Sequence, residues 1–464
     1  MLPLRTAATL TPAALQLGAD AAGAGYVGEV ALSFTASKNP SDMIRDYLKN
    51  EALSMLTRLG QLQPFSLSTP MVSAAGPSNE ALRAITNHLV SAKTELRQKV
   101  QTYLAQLRGE ADETFGNAAE AQAAYAVLKL RFNNILDQLD IFADVLTQRS
   151  EHQTGVWIAG LDVVATDALA PQDGLYEIPP VMCFLERGHG AAIRRARTRL
   201  PGGDYNPVAI IQVPRERMIG SGIASSLIHE VGHQGAALLN LVETLRKDLK
   251  NKIAQAPPSH HIAWTLYERW ISEIVADFWA TGHLGITATQ GLMNVVSLPK
   301  YFMFRIKLDD PHPFPWIRVK LSLSAGALLY PDPQWQRFEH LWQQLYPLED
   351  LEEDKRGIIR DLEQVMPEFT ELLTNHHSKY LTNKALKDIF PYEDRQPERL
   401  RELYSTVASQ PATDDSALSP SLTFAVIGQA RADGRVNATT ESYLLSRYLN
   451  RWALGRAESR GKLN

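Results

Sequence analysis

The feature that most constrains this chain is the pattern His-Glu-x-x-His, which begins at His229 and ends at His233. Residues four apart lie on one face of an α-helix, so both imidazoles would point to the same spot. Two imidazole nitrogens from one helical turn form half of a typical Zn²⁺ site. Glu230 would lie beside the metal, where a carboxylate can take a proton from water. A helix is predicted to start near Ser221 and Gly222. Its apolar face comprises Ala224, Leu227, Ile228, Val231, Ala236, Leu238, Leu239 and Leu245.

A catalytic zinc site needs a third protein ligand. The metzincin pattern His-x-x-Gly-x-x-His is excluded, because Ala236 and Leu239 occupy the positions of its glycine and last histidine. Downstream, Glu273 and Asp277 are four residues apart on a second, mostly apolar helical segment. Carboxylates buried on such a face are costly without partners. A metal for Glu273 and a ligand histidine for Asp277 would satisfy both, whereas a pair of surface acids fits the apolar neighbours less well.

Composition limits the class of protein. The chain has 464 residues, of which 45% are hydrophobic and 21% are charged, as in ordinary globular proteins. Its net charge of −4 gives no reason to expect a nucleic acid or an anionic membrane as a partner. No stretch reaches the roughly 18 to 20 uncharged apolar residues of an integral membrane span. The single cysteine, Cys183, excludes internal disulfides and fits a reducing compartment, so we expect a cytoplasmic location.

Hydrophobic periodicity predicts a mainly α-helical protein with a small β-sheet, an α+β fold. Two long helices joined by a polar turn after Gly109 are predicted to form an antiparallel hairpin, which is either a structural layer or a clamp for a partner. Runs of apolar and β-branched residues bounded by Gly and Pro predict strands. These predicted strands cover residues 156–164, 181–185 and 208–213, whereas the N-terminal segment is either a flexible arm or an isolated strand at residues 26–32.

A further strand is predicted at residues 195–199, where three arginines alternate with small residues. Its basic face is either solvated or a wall that prefers acidic substrates. The strand at 208–213, directly before the His229 helix, is expected to be an edge strand, because zinc peptidases commonly bind the substrate backbone there by β-addition.

Three prolines fix the path of a loop at residues 309–318. His312 and Arg318 are polar groups in this otherwise apolar and aromatic segment. Such groups could meet the negative charge of a tetrahedral intermediate. A single histidine in a loop is, however, more often a surface residue.

Three motifs together resemble a known family. The order His-Glu-x-x-His at 229–233, Glu-x-x-x-Asp at 273–277 and His-Pro-x-x-x-x-Arg at 312–318 is similar to that of gluzincin peptidases of the CAAX prenyl protease and HtpX type. The resemblance covers about residues 208–323. It implies a zincin-like metallopeptidase core and a peptide or protein substrate. Members of that family are usually membrane-embedded, so a chain without spans is expected to be a soluble relative that acts on a soluble substrate.

The resemblance also implies a role for each site residue. It implies one Zn²⁺ per chain with His229, His233 and Glu273 as ligands, and Glu230 as general base and acid. Asp277 would orient a ligand histidine. The family's loop motif implies that its histidine stabilises the oxyanion and that its arginine supports the site. In this chain those two residues are His312 and Arg318.

Four regions are predicted from these patterns. They are a flexible N-terminal arm (1–40), a helical region with the hairpin (41–152), the zincin-like metallopeptidase domain (153–346) and a C-terminal helical region (347–464). The expected activity is hydrolysis of internal peptide bonds. Two alternatives stay open: a catalytically silent, zinc-stabilised interaction module, and a zinc hydrolase of a non-peptide amide. The intact Glu230 disfavours the first, because a structural zinc site needs no base.

Overall fold

The computed structural model describes residues 39–63, 65–171, 174–186, 190–214, 220–409 and 418–461. The predicted strand at 26–32 and nearly all of the predicted N-terminal arm lie outside these residues. The described residues are mostly helical and contain a small sheet, so the prediction of a mainly α protein with a small β-sheet is confirmed.

The helices are α1 (Pro40–Gln61), α2 (Phe65–Ser68), α3 (Asn79–Arg108), α4 (Ala118–Thr147), α5 (His152–Leu169), α6 (Ser221–Leu238), α7 (Leu241–Gln255), α8 (His261–Leu284), α9 (Ile286–Val296), α10 (Lys300–Met303), α11 (Pro315–Leu329), α12 (Gln334–Leu345), α13 (Glu353–Thr374), α14 (Pro397–Ser409), α15 (Pro420–Ala432) and α16 (Ala438–Gly461). The strands are β1 (Val181–Glu186), β2 (Ala192–Arg194) and β3 (Ala209–Pro214). Among the residues that the structure describes, every helix is too short or too polar to span a membrane.

The sheet has the order β1-β3-β2, with β1 parallel to β3 and β2 antiparallel to it. Because β3 has a partner on each side, the expectation that the strand before the His229 helix is an edge strand is wrong. The short strand β2 forms the edge instead. In its register, Ile193 lies opposite Ile211 and Arg194 lies opposite Ile210.

Two predicted strands are wrong. Residues 156–164 lie inside helix α5, which packs against β1, α6 and α16. Its apolar residues face neighbours on several sides, so apart from Asp162 the segment is an apolar run that a strand would also give. Residues 195–199 follow the end of β2 and form a turn, because Arg197 has a φ of 63°, which lies in the left-handed region.

The predicted helical hairpin is confirmed as α3 and α4. Gly109 ends α3 with a φ of 74°, a conformation that glycine adopts without steric cost. Helix α1 packs along both members of the pair, and the three helices share a core that includes Leu48, Leu96 and Phe132. A smaller apolar cluster, with Phe142 of α4 and Ile210 of β3, joins the hairpin to one face of the sheet.

The main core extends from Ile158 to Leu449 and therefore includes helices on both sides of residue 346. At its centre, α6 and α8 pack at very short distance. A Cβ atom on Gly232 would lie 2.8 Å from Cβ of Trp279 and 2.9 Å from Cα of Ala276. A glycine is therefore required in α6 for this approach, and the approach brings the two motif-bearing helices together.

Candidate metal centre

Helix α6 carries the first two candidate ligands. His229 and His233 lie one turn apart on the same face, and their ring centroids are 4.8 Å apart with an interplanar angle of 87°. The predicted helix and the predicted i, i+4 geometry are both present. Both imidazoles face a cleft, where His229 and His233 retain only a small exposed fraction.

Helix α8 brings Glu273 to the two rings. Its Oε2 atom lies 3.4 Å from Nε2 of His229, and its Oε1 atom lies 3.4 Å from Nε2 of His233. One ligand atom from each of these three residues can be chosen so that all lie within 4.8 Å of one another. The three predicted ligands are therefore adjacent, although His229 and Glu273 are 44 positions apart (273 − 229) in the sequence.

These distances fit a zinc ion. In a tetrahedral site with bonds of about 2.0 to 2.1 Å, neighbouring ligand atoms are about 3.3 to 3.4 Å apart. The two closest nitrogen–oxygen approaches in the cluster have that length. Two imidazole nitrogens and a carboxylate oxygen are also a donor set that zinc accepts. The residues present thus fit the metal that the motif implies.

Asp277 lies behind His229, one turn after Glu273 on α8. Its Oδ1 atom is 2.7 Å from Nδ1 of His229, which leaves Nε2 directed at Glu273. A carboxylate at Nδ1 is the usual partner of a metal-binding histidine, because it fixes both the tautomer and the orientation of the ring.

Arg318, on α11, pairs with Asp277 in a two-point contact. Its Nε atom donates to Oδ2 at 2.6 Å and its Nη2 atom donates to Oδ1 at 2.9 Å. The same Nη2 atom lies 3.5 Å from Oε2 of Glu273 and 3.3 Å from Nδ1 of His229. Arg318 lines the cleft, and its guanidinium contacts the residues of the cluster, a position that supports their arrangement.

The pKa values of the two histidines are shifted in opposite directions. Burial disfavours a charged ring at His229, but the carboxylates of Asp277 and Glu273 raise its pKa to about 9. Burial and the charge of His229 lower the pKa of His233 to about 4. Since a metal ligand must be a neutral imidazole, a cation at this site competes with a proton on His229 and not on His233.

The pKa values of the carboxyl groups of Glu273 and Glu230 are also shifted in opposite directions. Burial alone disfavours the charged form of Glu273, yet contacts with His229 and Arg318 hold its pKa at about 2. Burial raises the pKa of Glu230, and the nearby Glu273 adds to that effect, against the opposing charge of His229. A raised pKa makes a carboxylate a better proton acceptor near neutral pH, which suits a general base.

His312 lies at the rim of the cleft. Its Nε2 atom is 3.7 Å from Oε1 of Glu273, and its side chain is 58% exposed. Asp310 accepts hydrogen bonds from the His312 backbone and contacts the ring nitrogen Nδ1 at 3.0 Å. Trp270 of α8 donates to the carbonyl oxygen of Asp310 at 3.1 Å, which fixes the loop against the ligand helix. His312 and the three candidate ligand residues thus face the same cleft.

The cleft has a volume of about 490 Å³. Its lining includes Ala192 and Ile193 of the edge strand β2, Ser226 and Glu230 of α6, and Leu292 of α9. Glu230 is only 6% exposed, so its carboxyl group lies at the bottom of the cleft rather than on the open surface.

Sequence reasoning missed Gln234, the residue that follows His233. Its buried side-chain oxygen accepts a hydrogen bond of 2.8 Å from the backbone nitrogen of Ala196, directly after β2. This contact ties the end of the edge strand to the helix of the histidines. A polar residue beside the motif on an apolar helix was the available signal.

No family model, curated protein or solved structure matches this chain. The resemblance to the gluzincins therefore stays a prediction that rests on the three motifs and on the positions of their residues.

Proposed function

We propose that this chain is a zinc-dependent endopeptidase of gluzincin type, built on a zincin-like core formed by α6, α8 and the three-stranded sheet. The observation that carries the proposal is the convergence of His229, His233 and Glu273, with nitrogen–oxygen approaches of 3.4 Å, beside Glu230 in an open cleft. In this proposal one Zn²⁺ is held by those three residues.

A catalytic role is favoured over a structural one by the number of donors. Structural zinc sites use four protein ligands and are closed, whereas catalytic sites have three protein ligands and an open position. Here three donors face a cleft of about 490 Å³. A zinc-stabilised interaction module would need neither the cleft nor a carboxylate at Glu230 with a raised pKa.

The proposed chemistry assigns one task to each residue. Zinc, when bound, would act as a Lewis acid toward water and toward the substrate carbonyl. Glu230 would take the proton of the attacking water and later give it to the leaving amine. His312 would donate a hydrogen bond to the oxygen that becomes negative in the transition state. Asp277 would hold His229 in its binding orientation, and Arg318 would hold Asp277.

A peptide substrate is favoured over a small amide by the strand β2. Among the described residues it pairs with β3 on one side only, and its residues Ala192 and Ile193 line the cleft. An exposed strand edge can accept a peptide backbone by β-addition, which gives affinity through main-chain hydrogen bonds. A small amide would use little of this edge.

The first experiment tests whether the chain binds zinc through the proposed ligands. Protein purified without chelator should contain one zinc per chain by elemental analysis, and Glu273→Gln should lower zinc affinity by roughly 10²-fold because it removes a charged ligand. Glu268→Gln is the matched control, since Glu268 lies on the same helix but pairs with Arg246, 3.4 Å away. Zinc absent from the wild-type protein, or equal loss in both variants, contradicts the proposed ligand set.

The reaction is tested next. A peptide-library digest followed by mass spectrometry should give cleaved internal bonds that disappear with chelator and return with zinc. The same protein is assayed on small amides. Cleavage of small amides alone would assign a non-peptide amidase, and zinc binding without any hydrolysis would assign the interaction module.

A further inference from the structure

Two arginines of the described residues line the cleft, and the guanidinium of one of them is not engaged with other groups. Arg318 is paired with Asp277 and contacts Glu273. Arg195 also lines the cleft and is exposed, and within the described part of the chain its guanidinium has no ion pair or hydrogen bond. Its charge is therefore available to a bound molecule.

The lining of the cleft places Arg195 on the side of the candidate ligand residues. Ile193 lies opposite Ile211, which belongs to the main core with α6, and Arg194 lies opposite Ile210, which belongs to the core of the hairpin side. Side chains alternate between the two faces of a strand. Arg195 follows the end of β2 and borders both the cleft and the cavity on the hairpin side, whereas Arg194 borders only the latter.

The other basic residues of the predicted 195–199 strand do not contribute to this face. Arg197 lies in the turn and has an ion pair of 3.7 Å with Glu177. Arg199 donates to the carbonyl oxygen of Gly203 at 2.8 Å and stacks over Tyr205. The predicted wall of three arginines is thus reduced to a single residue at the cleft.

The backbone of Arg195 is held in place on both sides. Its carbonyl oxygen accepts hydrogen bonds from Oγ1 of Thr198 at 2.6 Å and from Nδ2 of Asn206 at 3.2 Å. The next residue, Ala196, donates to Gln234 of α6 at 2.8 Å. A fixed backbone limits the entropy lost when the side chain engages a ligand.

We propose that Arg195 binds a carboxylate of the substrate, so that the cleft prefers acidic peptides. This inference rests on the proposed function of the same site. A guanidinium matches a carboxylate with two parallel hydrogen bonds. A substrate carboxylate at the end of β2 meets the guanidinium of Arg195. The carboxylate is either an Asp or Glu side chain or the C-terminus of a peptide.

Binding is measured without turnover. Fluorescein-labelled peptides that differ only by Glu or Gln at one scanned position, each with a free or an amidated C-terminus, are titrated into the Glu230→Gln protein. We expect one acidic position, or the free C-terminus, to tighten binding by about tenfold at low salt, the size of a charge-assisted hydrogen bond in a partly solvated cleft. The preference should weaken as ionic strength rises. The scanned Glu and the free C-terminus separate the two sources of the carboxylate.

Variants assign the effect to one residue. Arg195→Ala in the Glu230→Gln background should abolish the preference, and Arg195→Glu should reverse it in favour of peptides with Lys at the same position. Arg194→Ala is the matched control, because Arg194 is an exposed neighbour of Arg195 that does not line the cleft, so its loss should leave the preference intact.

The outcomes separate this inference from the proposed function. Peptides that are cleaved with no acidic preference, or a preference lost equally in the Arg194 and Arg195 variants, overturn the inference and leave the peptidase proposal standing. An acidic preference that depends on Arg195 in a protein that cleaves no peptide supports the inference and overturns the peptidase proposal.

Discussion

The close packing of α6 against α8 predicts that a single methyl group at Gly232 will disturb the metal site. In Gly232→Ala the new Cβ would lie 2.8 Å from Cβ of Trp279, 2.9 Å from Cα and 3.0 Å from the carbonyl oxygen of Ala276. Relaxed contacts between carbon atoms are about 3.5 to 4.0 Å. Two of these three atoms belong to the backbone, and Trp279 is itself held by a hydrogen bond of 3.0 Å to Ala168. The helices must therefore separate by roughly 0.5 to 1 Å.

The change in the free energy of unfolding of Gly232→Ala follows from two opposing effects. Overpacking of a core typically costs about 1 to 3 kcal/mol, and replacing glycine by alanine inside a helix stabilises it by about 0.5 to 1 kcal/mol. The net free energy of unfolding should fall by up to about 2.5 kcal/mol. Glu273 is on the same helix as Ala276, so its carboxylate moves with the backbone. Ligand distances tolerate only about 0.2 Å, and we expect zinc affinity to weaken by roughly 10- to 100-fold.

Gly357 provides the control. It lies in α13, and a Cβ there would have no heavy atom within 4 Å. Gly357→Ala should stabilise the protein by about 0.5 to 1 kcal/mol and leave zinc affinity unchanged. Urea unfolding gives the free energies, and competition with a chromophoric chelator gives the zinc affinities. If Gly232→Ala is as stable as Gly357→Ala and binds zinc as tightly as the wild type, the packing argument fails.

Three further predictions concern single residues. Glu230→Gln should retain zinc by elemental analysis but lose hydrolysis by roughly 10²-fold or more, since an amide cannot take a proton; loss of zinc would instead make Glu230 a ligand or a structural residue. His312→Ala should lower kcat by roughly 10²-fold with little change in zinc content or KM, because the donor acts on charge that develops in the transition state; wild-type turnover would make it an ordinary loop residue. Burial lowers the pKa of His283 to about 3, so between about pH 6.5 and 3 the unfolded chain takes up a proton that the folded chain does not. The free energy of unfolding should therefore fall as pH falls through that window, by at most about 1.4 kcal/mol per pH unit from this group, and His283→Leu should show a shallower fall in pH-dependent urea titrations. An unchanged slope in that variant would mean that His283 titrates alike in both states.

The parts of the site that follow from local spacing were predictable. The i, i+4 interval places His229 and His233 on one face of α6, and it likewise places Glu273 and Asp277 on one face of α8. An apolar stripe at helical period predicted each helix, and Gly109 marked the turn of the hairpin. In all these cases the deciding contacts lie within one turn of the chain.

The errors have a different origin, because they depend on contacts between distant segments. Strand order is not encoded in the composition of a strand, so the sequence could not indicate that β2 would pair with β3 and leave it central. The apolar run at 156–164 suits a buried strand and a buried helix equally, and its length was the better indicator of helix α5. The turn at Arg197 requires a left-handed conformation that a non-glycine residue rarely signals.

The charges around the cluster give a reason to expect a cation that does not depend on the motif. With neutral histidine rings, the carboxylates of Glu230, Glu273 and Asp277 face the guanidinium of Arg318, which leaves two negative charges among these four side chains in a largely buried region. Such an excess is costly, and it acts in the same direction as burial in raising the pKa of Glu230, while the carboxylates of Asp277 and Glu273 raise the pKa of His229. A divalent cation between the three ligand atoms would neutralise the remaining negative charge. It would also replace the proton on His229, so that Asp277 could hold the ring as a neutral ligand.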